Sequence, residues 1–156
     1  MKKLYTLLFI AFAFITNAQI VNIPDANFKA KLLSASASNG VASTETPLYN
    51  SSNGSWSVSS FHTIDTNGDG EIQVSEAQVI KWLDVSYSYI FDLTGIEAFT
   101  NLIYLHCNNN QLTALDITQN TQLQMLYCFG NQLTTLDVTQ NSQLQELRCD
   151  SNQLTT

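Results

Sequence analysis

In 156 residues, thirteen Asp and Glu face six Lys and Arg, for a formal charge of −7, and only 12% of residues are charged. Nucleic acid and anionic membrane surfaces are recognised by clustered Lys and Arg, so this balance argues against both as partners. Asn, Gln, Ser and Thr supply most of the polarity, which favours binding through hydrogen bonds and aromatic rings over binding through charge.

Lys2-Lys3, an apolar run from Leu4 to Ile15, and Thr16-Asn17-Ala18 before Gln19 predict a signal peptide over residues 1–18. About a dozen apolar residues are too few to span a bilayer and fit a signal core instead. Cleavage leaves four Lys/Arg against thirteen Asp/Glu, a net charge of −9. The expectation is a secreted or bacterial cell-surface chain with no membrane insertion after cleavage.

Residues 19–79 read as an N-terminal cap region. Ile23 to Leu33 predicts one short helix, with Pro24 in its first turn, Asp25 near the positive end of the dipole and Phe28/Leu32 as i,i+4 neighbours. Phe28, Leu32 and Leu33 are the candidates for covering the end of the core. Ser34 to Ser60 is rich in Ser, Asn, Thr and Gly, and fits either a long ordered loop pinned by Trp56 or a flexible insertion.

Residues 65–76 match D-x-[DN]-x-[DN]-G-x5-E in full. Calcium takes six to eight oxygens, and this spacing presents them from Asp65, Asn67 and Asp69 by side chain, from Glu71 by its carbonyl, from Gln73, and from Glu76 through both carboxylate oxygens. The segment resembles the EF-hand and dockerin-type calcium loops. It departs from them in lacking a good preceding helix and a second loop, so the expectation is a lone structural calcium site rather than a switch; the plainer alternative is an acidic turn that binds nothing. A helix from Ser75 to Val79 should then lead into the next unit.

From Leu102 the chain repeats itself every 21 residues: LIYLHCNNNQLTALDITQNTQ, then LQMLYCFGNQLTTLDVTQNSQ from Leu123, then LQELRCDSNQLTT from Leu144. Ile80, Leu83, Val85, Ser88 and Ile90 fit the same pattern one unit earlier, with Ser in the Asn slot and one extra residue before Leu102. A fixed period of this length is the mark of a solenoid, whose units bury their apolar faces only against neighbours. Tyr104-Leu105-His106-Cys107 should be a strand that points Leu105 and Cys107 inward and Tyr104 and His106 outward. Asn110, Asn131 and Asn152 fall at the turn that follows, where stacked amides can satisfy orphaned backbone groups. Asp116, Thr118 and Asn120, like Asp137, read as turn chemistry.

L-x-x-L-x-C-x-x-N-x-L-T-x-L-D-V-T-x-N resembles the internalin-type leucine-rich repeats, most closely their 21-residue cysteine-ladder variety. The resemblance covers roughly the last third of the chain and implies a leucine-rich repeat solenoid over residues 80–156. Parallel β-strands would line its concave face, its convex side would be irregular, and a small helical N-terminal cap would carry the calcium loop. VNIPDANFKAKLL near the start also resembles the mature N-terminus of secreted bacterial leucine-rich-repeat proteins. Ending at Leu154-Thr-Thr, mid-repeat, the sequence reads as a truncated fragment.

Cys107, Cys128 and Cys149 share one repeat position, which predicts a structural ladder of buried thiols, with a disulfide through Cys128 as the alternative. A zinc site with His106 is disfavoured because His106 faces the other side of its strand. No nucleophile, zinc or phosphate-loop motif stands out, so no catalytic residues are expected. The outward columns are Tyr104/Met125/Glu146, His106/Tyr127/Arg148 and Asn108/Phe129/Asp150. Varying such a face while holding the core constant is the plan of a recognition surface. The ligand-binding face is accordingly expected at Tyr104, His106, Met125, Tyr127, Phe129, Glu146 and Arg148, with a protein or glycan as partner and adhesion as the role the resemblance implies. The alternative is the non-catalytic front of a larger exported hydrolase or sorted surface protein.

Overall fold

The computed structural model describes residues 19–155, so the expected signal peptide lies outside the described residues. In chain order the elements are helix α1 (Ala26–Leu33), strands β1 (Ala42–Ser43), β2 (Leu48–Asn50) and β3 (Ser55–Ser57), helix α2 (Val74–Ala77), strand β4 (Trp82–Asp84), a 3-10 turn at Ile96–Ala98, and strands β5 (Tyr104–His106), β6 (Met125–Tyr127) and β7 (Glu146–Arg148). Strands β4 to β7 pair in parallel, one per repeat, with Leu83, Leu105, Leu126 and Leu147 in one register. Strand β1 pairs antiparallel with the outer edge of β4. That closes an edge that would otherwise present unpaired backbone groups.

The repeat places the same bond at each turn. Asn110 donates through Nδ2 to the carbonyls of Val85 and Cys107, and its Oδ1 accepts the N–H groups of Ser88 and Ile90. Asn131 does the same for Cys107, Cys128 and Leu112, and Asn152 for Cys128, Cys149 and Leu133. One residue before each Asn the backbone is left-handed, at Asn109, Gly130 and Ser151, and at Tyr87 in the first unit. Glycine and asparagine suit that conformation; a tyrosine holds it under strain.

A second ladder runs along the opposite side. Asn120 donates to the carbonyls of Ile96 and Phe99, and Asn141 to those of Ile117 and Asn120. Both are buried. Asp92, Asp116 and Asp137 each accept the backbone N–H of the Thr two residues on, the turn chemistry their spacing predicts. Between the ladders lies one apolar core, running from Val21 and Phe28 through Leu83, Leu105 and Leu126 to Leu133.

The N-terminal segment joins that core by contacts of its own. Helix α1 starts at Ala26, not in front of Pro24, because Asp25 caps it: its Oδ1 accepts the N–H groups of Asn27 and Phe28. Phe28 and Leu32 are fully buried while Leu33 is half-buried. Gln19–Val21 lies antiparallel to Ile72–Val74, with Val21 N–H bonded to the Ile72 carbonyl and Val74 N–H to that of Gln19, each at 2.8 Å. Helix α2 is a single turn that ends before Val79, shorter than expected. The Gln73/Glu76 capping box opens it, and Ile80 must already be extended to enter β4. The 34–60 segment is ordered: β2 and β3 form a hairpin across which Tyr49 and Trp56 pair, and Glu45 gathers the N–H groups of Ser59 and Ser60.

Candidate binding face and acidic loop

Alternation along each strand sends Trp82, Tyr104 and Met125 to the side away from the leucines, but not into water. The 34–60 segment and Phe61 fold over them: Trp56, Val58 and Phe61 pack on this stripe, and Trp82 stacks on Tyr104 with centroids 3.5 Å apart and planes 4° off parallel. Tyr104 is left 6% exposed and Met125 1%, so neither belongs to an open ligand-binding face. Asn108 is also buried, at 1%. Burial pushes the Tyr104 hydroxyl well above the usual tyrosine range, so it stays a neutral donor.

The open part of the face lies beyond this cover. His106, Tyr127, Phe129 and Glu146 are half-buried and Arg148 is exposed. The Arg148 guanidinium carbon sits 5.3 Å from the Tyr127 ring centroid and 5.2 Å from that of Phe129, within cation–π range. The His106 ring meets Tyr127 edge-on at 5.1 Å. On its other side, His106 Nδ1 lies 3.4 Å from Asp84 Oδ2. Burial raises the Asp84 carboxyl, but hydrogen bonds from His106 and Ser86 outweigh it and hold the group below the usual range. Glu146 accepts bonds from the Tyr127 hydroxyl and, at 3.2 Å, from Trp56 Nε1. Sequence alone missed Trp56 as a wall of this face, since a lone Trp in a Ser- and Asn-rich stretch carries no periodic signal.

The acidic loop wraps on its own amides. Asp65 accepts the N–H groups of Gly68 and Gly70, both glycines at positive φ. Asn67 accepts the N–H of Asp69, and Asp69 that of Glu71. Asn67, Asp69 and Gln73 lie within hydrogen-bond distance of one another. The Glu71 carboxylate turns away to Lys29, at 2.6 Å, which leaves only its carbonyl for an ion. Glu76 spends one oxygen on the Thr66 N–H and hydroxyl and the other on the Gln73 N–H. The side-chain oxygens of Asp65, Asn67, Asp69 and Glu76 are thus engaged by the loop's own N–H and O–H groups. Among the described residues, no three His, Cys, Asp or Glu side chains converge as a metal cage.

A family model described as "Leucine Rich repeats (2 copies)" matches residues 100–139. Internalin J of Listeria monocytogenes serotype 4b (strain F2365) is 48% identical over 50 residues, which are 31% of this chain and 6% of that protein. The functional domain of InlJ from Listeria monocytogenes, described as including a cysteine ladder, aligns with a TM-score of 0.54 at 44% identity over 55% of this chain and 19% of that one. Residues 100–139 thus match leucine-rich repeats and are similar in sequence to those of internalin J. An internalin (InlF) from L. monocytogenes strain 4b F2365 shares the fold alone, with a TM-score of 0.65 at 19% identity over 92% of this chain and 35% of that one. The chain therefore spans far less than two thirds of each of these relatives.

In these repeats the cysteines follow β5, β6 and β7 at equivalent steps, and all three are free. Cys107 and Cys128 are fully buried and Cys149 is half-buried. Burial, then the neighbouring thiol, pushes the Cys107 group well above its ordinary value and that of Cys128 to about 12. Thiols held protonated in this way pack as small apolar groups.

Proposed function

We propose that the chain is a secreted or cell-surface adhesion module that binds a protein or glycan partner through the open part of its strand face and catalyses no reaction. The observation that carries this is the Arg148 guanidinium resting over Tyr127 and Phe129 with His106 alongside. Aromatic rings and arginine dominate interface energetics when a partner dehydrates them. This group stands on a rigid sheet, so little ordering cost opposes binding. Beads coated with the chain should adhere to a cultured-cell monolayer, and a Phe129→Ala/Arg148→Ala double variant that unfolds at the wild-type temperature should not. Equal retention of the two would sink the proposal.

A calcium ion held by the acidic loop is the structural half of the same proposal. Asp65, Asn67, Asp69, the Glu71 carbonyl, Gln73 and Glu76 would hold it, and its charge would offset repulsion among the carboxylates. The loop's support is its complete spacing, its Asp65-to-glycine wrapping bonds and the fully buried Ile72 that ties its exit to Val21. Millimolar calcium should raise stability by about 1–3 kcal/mol through mass action on the folded state. That increment should vanish in Asp65→Ala/Glu76→Ala. Absence of any shift in the unaltered chain would leave the segment an acidic turn.

A further inference from the structure

The hairpin does more than cover the first strands. Trp56 reaches 90 positions along the chain to bond Glu146 on β7, and its cross-strand neighbour Tyr49 lies 5.1 Å away with the rings tilted by 47°. Between hairpin and strand is a cavity of about 260 Å³ lined by Tyr49, Trp56, Gln145 and Glu146. We propose that this cleft is a binding site for one ring of a neutral oligosaccharide.

The lining matches the two kinds of surface a sugar ring presents. Its C–H faces need an aromatic wall, which Tyr49 and Trp56 form. Its hydroxyl edge needs acceptors and a donor. A carboxylate offers about four acceptor sites, and Glu146 has two bonds so far, from Trp56 and Tyr127. Gln145 adds an amide, one N–H of which is engaged by the Gln124 side chain at 3.3 Å. The cavity lies below the ~300 Å³ at which sites for drug-sized ligands begin, a size suited to a single ring. Charge selects against acidic sugars: Glu146 is an anion in a chain of net charge −7, and the Arg148 guanidinium lies over Tyr127 and Phe129. Tyr49 is 53% exposed, so a ring stacked on it exchanges wetted apolar surface for contact.

This deepens the adhesion proposal and rests on it for the side of the sheet that meets ligands. Of the two tryptophans, Trp82 is buried under the hairpin and Trp56 lines the cleft, so a ligand-induced change in emission reports on Trp56. The chain is titrated with cellotetraose, mannotetraose, N,N′,N″,N‴-tetraacetylchitotetraose and, separately, tetramethylammonium. A saturable change is expected with at least one oligosaccharide, with binding about tenfold weaker in Tyr49→Ala. Trp56→Phe, which keeps a ring and removes the bond to Glu146, lacks the reporter and is read by titration calorimetry instead, where it should retain part of the affinity. Silence from all three sugars at millimolar concentration, equal binding by Tyr49→Ala, or saturation by tetramethylammonium alone (a cation cage) would overturn the cleft. Bead retention that depends on Phe129 and Arg148 while the sugars stay silent would sink the cleft and leave the adhesion role. Sugar binding without retention would do the reverse.

Discussion

From Ile80 onward, each turn of the chain is secured by a bond that is made again one repeat later, whereas from Gln19 to Val79 each bond has its own partners. Asn110, Asn131 and Asn152 perform one task three times. Asp25 performs four at once: its Oδ1 caps α1 and its Oδ2 accepts the N–H groups of Phe91 and Asp92 in the first repeat. The two regions nonetheless share one core. A solenoid spreads its stability over equivalent contacts between neighbours, while its end depends on a few residues that nothing else duplicates.

The sharpest test of that asymmetry is Phe28→Ala. Phe28 is fully buried against the core of the first repeat, and truncating such a ring costs about 4 kcal/mol. If α1 and the repeats unfold as one, native-state hydrogen exchange should show the amides of Cys107 and Cys128 losing protection together with those of α1. Protection kept in the repeats and lost in α1 would separate the two into independent units.

Asn131→Ala should cost somewhat less, about 3 kcal/mol, because it strands the buried carbonyls of Cys107 and Cys128 and the N–H of Leu112. Asn152→Ala removes the same bonds at a half-exposed position, where water replaces the amide, and should cost about 1 kcal/mol. Urea midpoints of the two variants check the ratio; equal losses would mean the ladder's worth does not depend on burial.

This difference between regions also decides what could be read in advance. Period alone announces the Asn ladder, the inward leucines and the buried thiols, since each appears in register and a single strand's alternation fixes its side. The same alternation put Tyr104 and Met125 outward, correctly, and their exposure was then inferred from an empty face. What covers them, Trp56 with Val58 and Phe61, occurs once, in a Ser- and Asn-rich stretch with too few apolar residues to advertise a strand. Asp25's bonds to Phe91 and Asp92 were equally illegible, because a link spanning 66 positions leaves no local pattern.

Asp25→Ala probes that link at a smaller scale. Losing the cap and its long-range bonds should cost about 2 kcal/mol near neutral pH. Partial burial of the carboxyl works against ionisation, but the four backbone N–H donors prevail and hold it below its ordinary 3.8. A carboxyl whose folded value is depressed adds stability above the unfolded value and loses it as pH falls through the folded one. The gap between variant and parent should therefore narrow as the pH is lowered below 3.8, as read from urea midpoints. A gap independent of pH would show that the ionised form contributes nothing.

Thiol labelling tests the same contrast with no expected change in stability at neutral pH. Iodoacetamide reacts with thiolates, so Cys107 and Cys128, both fully buried and held protonated, should stay unmodified in the folded chain while half-buried Cys149 is alkylated. Mass spectrometry after unfolding should then find all three reactive. Because burial raises the folded values above the ordinary 9.0, the stability the thiols contribute is complete below that pH. It declines above it, as the unfolded chain ionises first. Protection of Cys149 as well, released only by a reductant, would mean a disulfide to Cys128 in place of free thiols. The solenoid would then be stapled by one covalent bond instead of by packing repeated at every step.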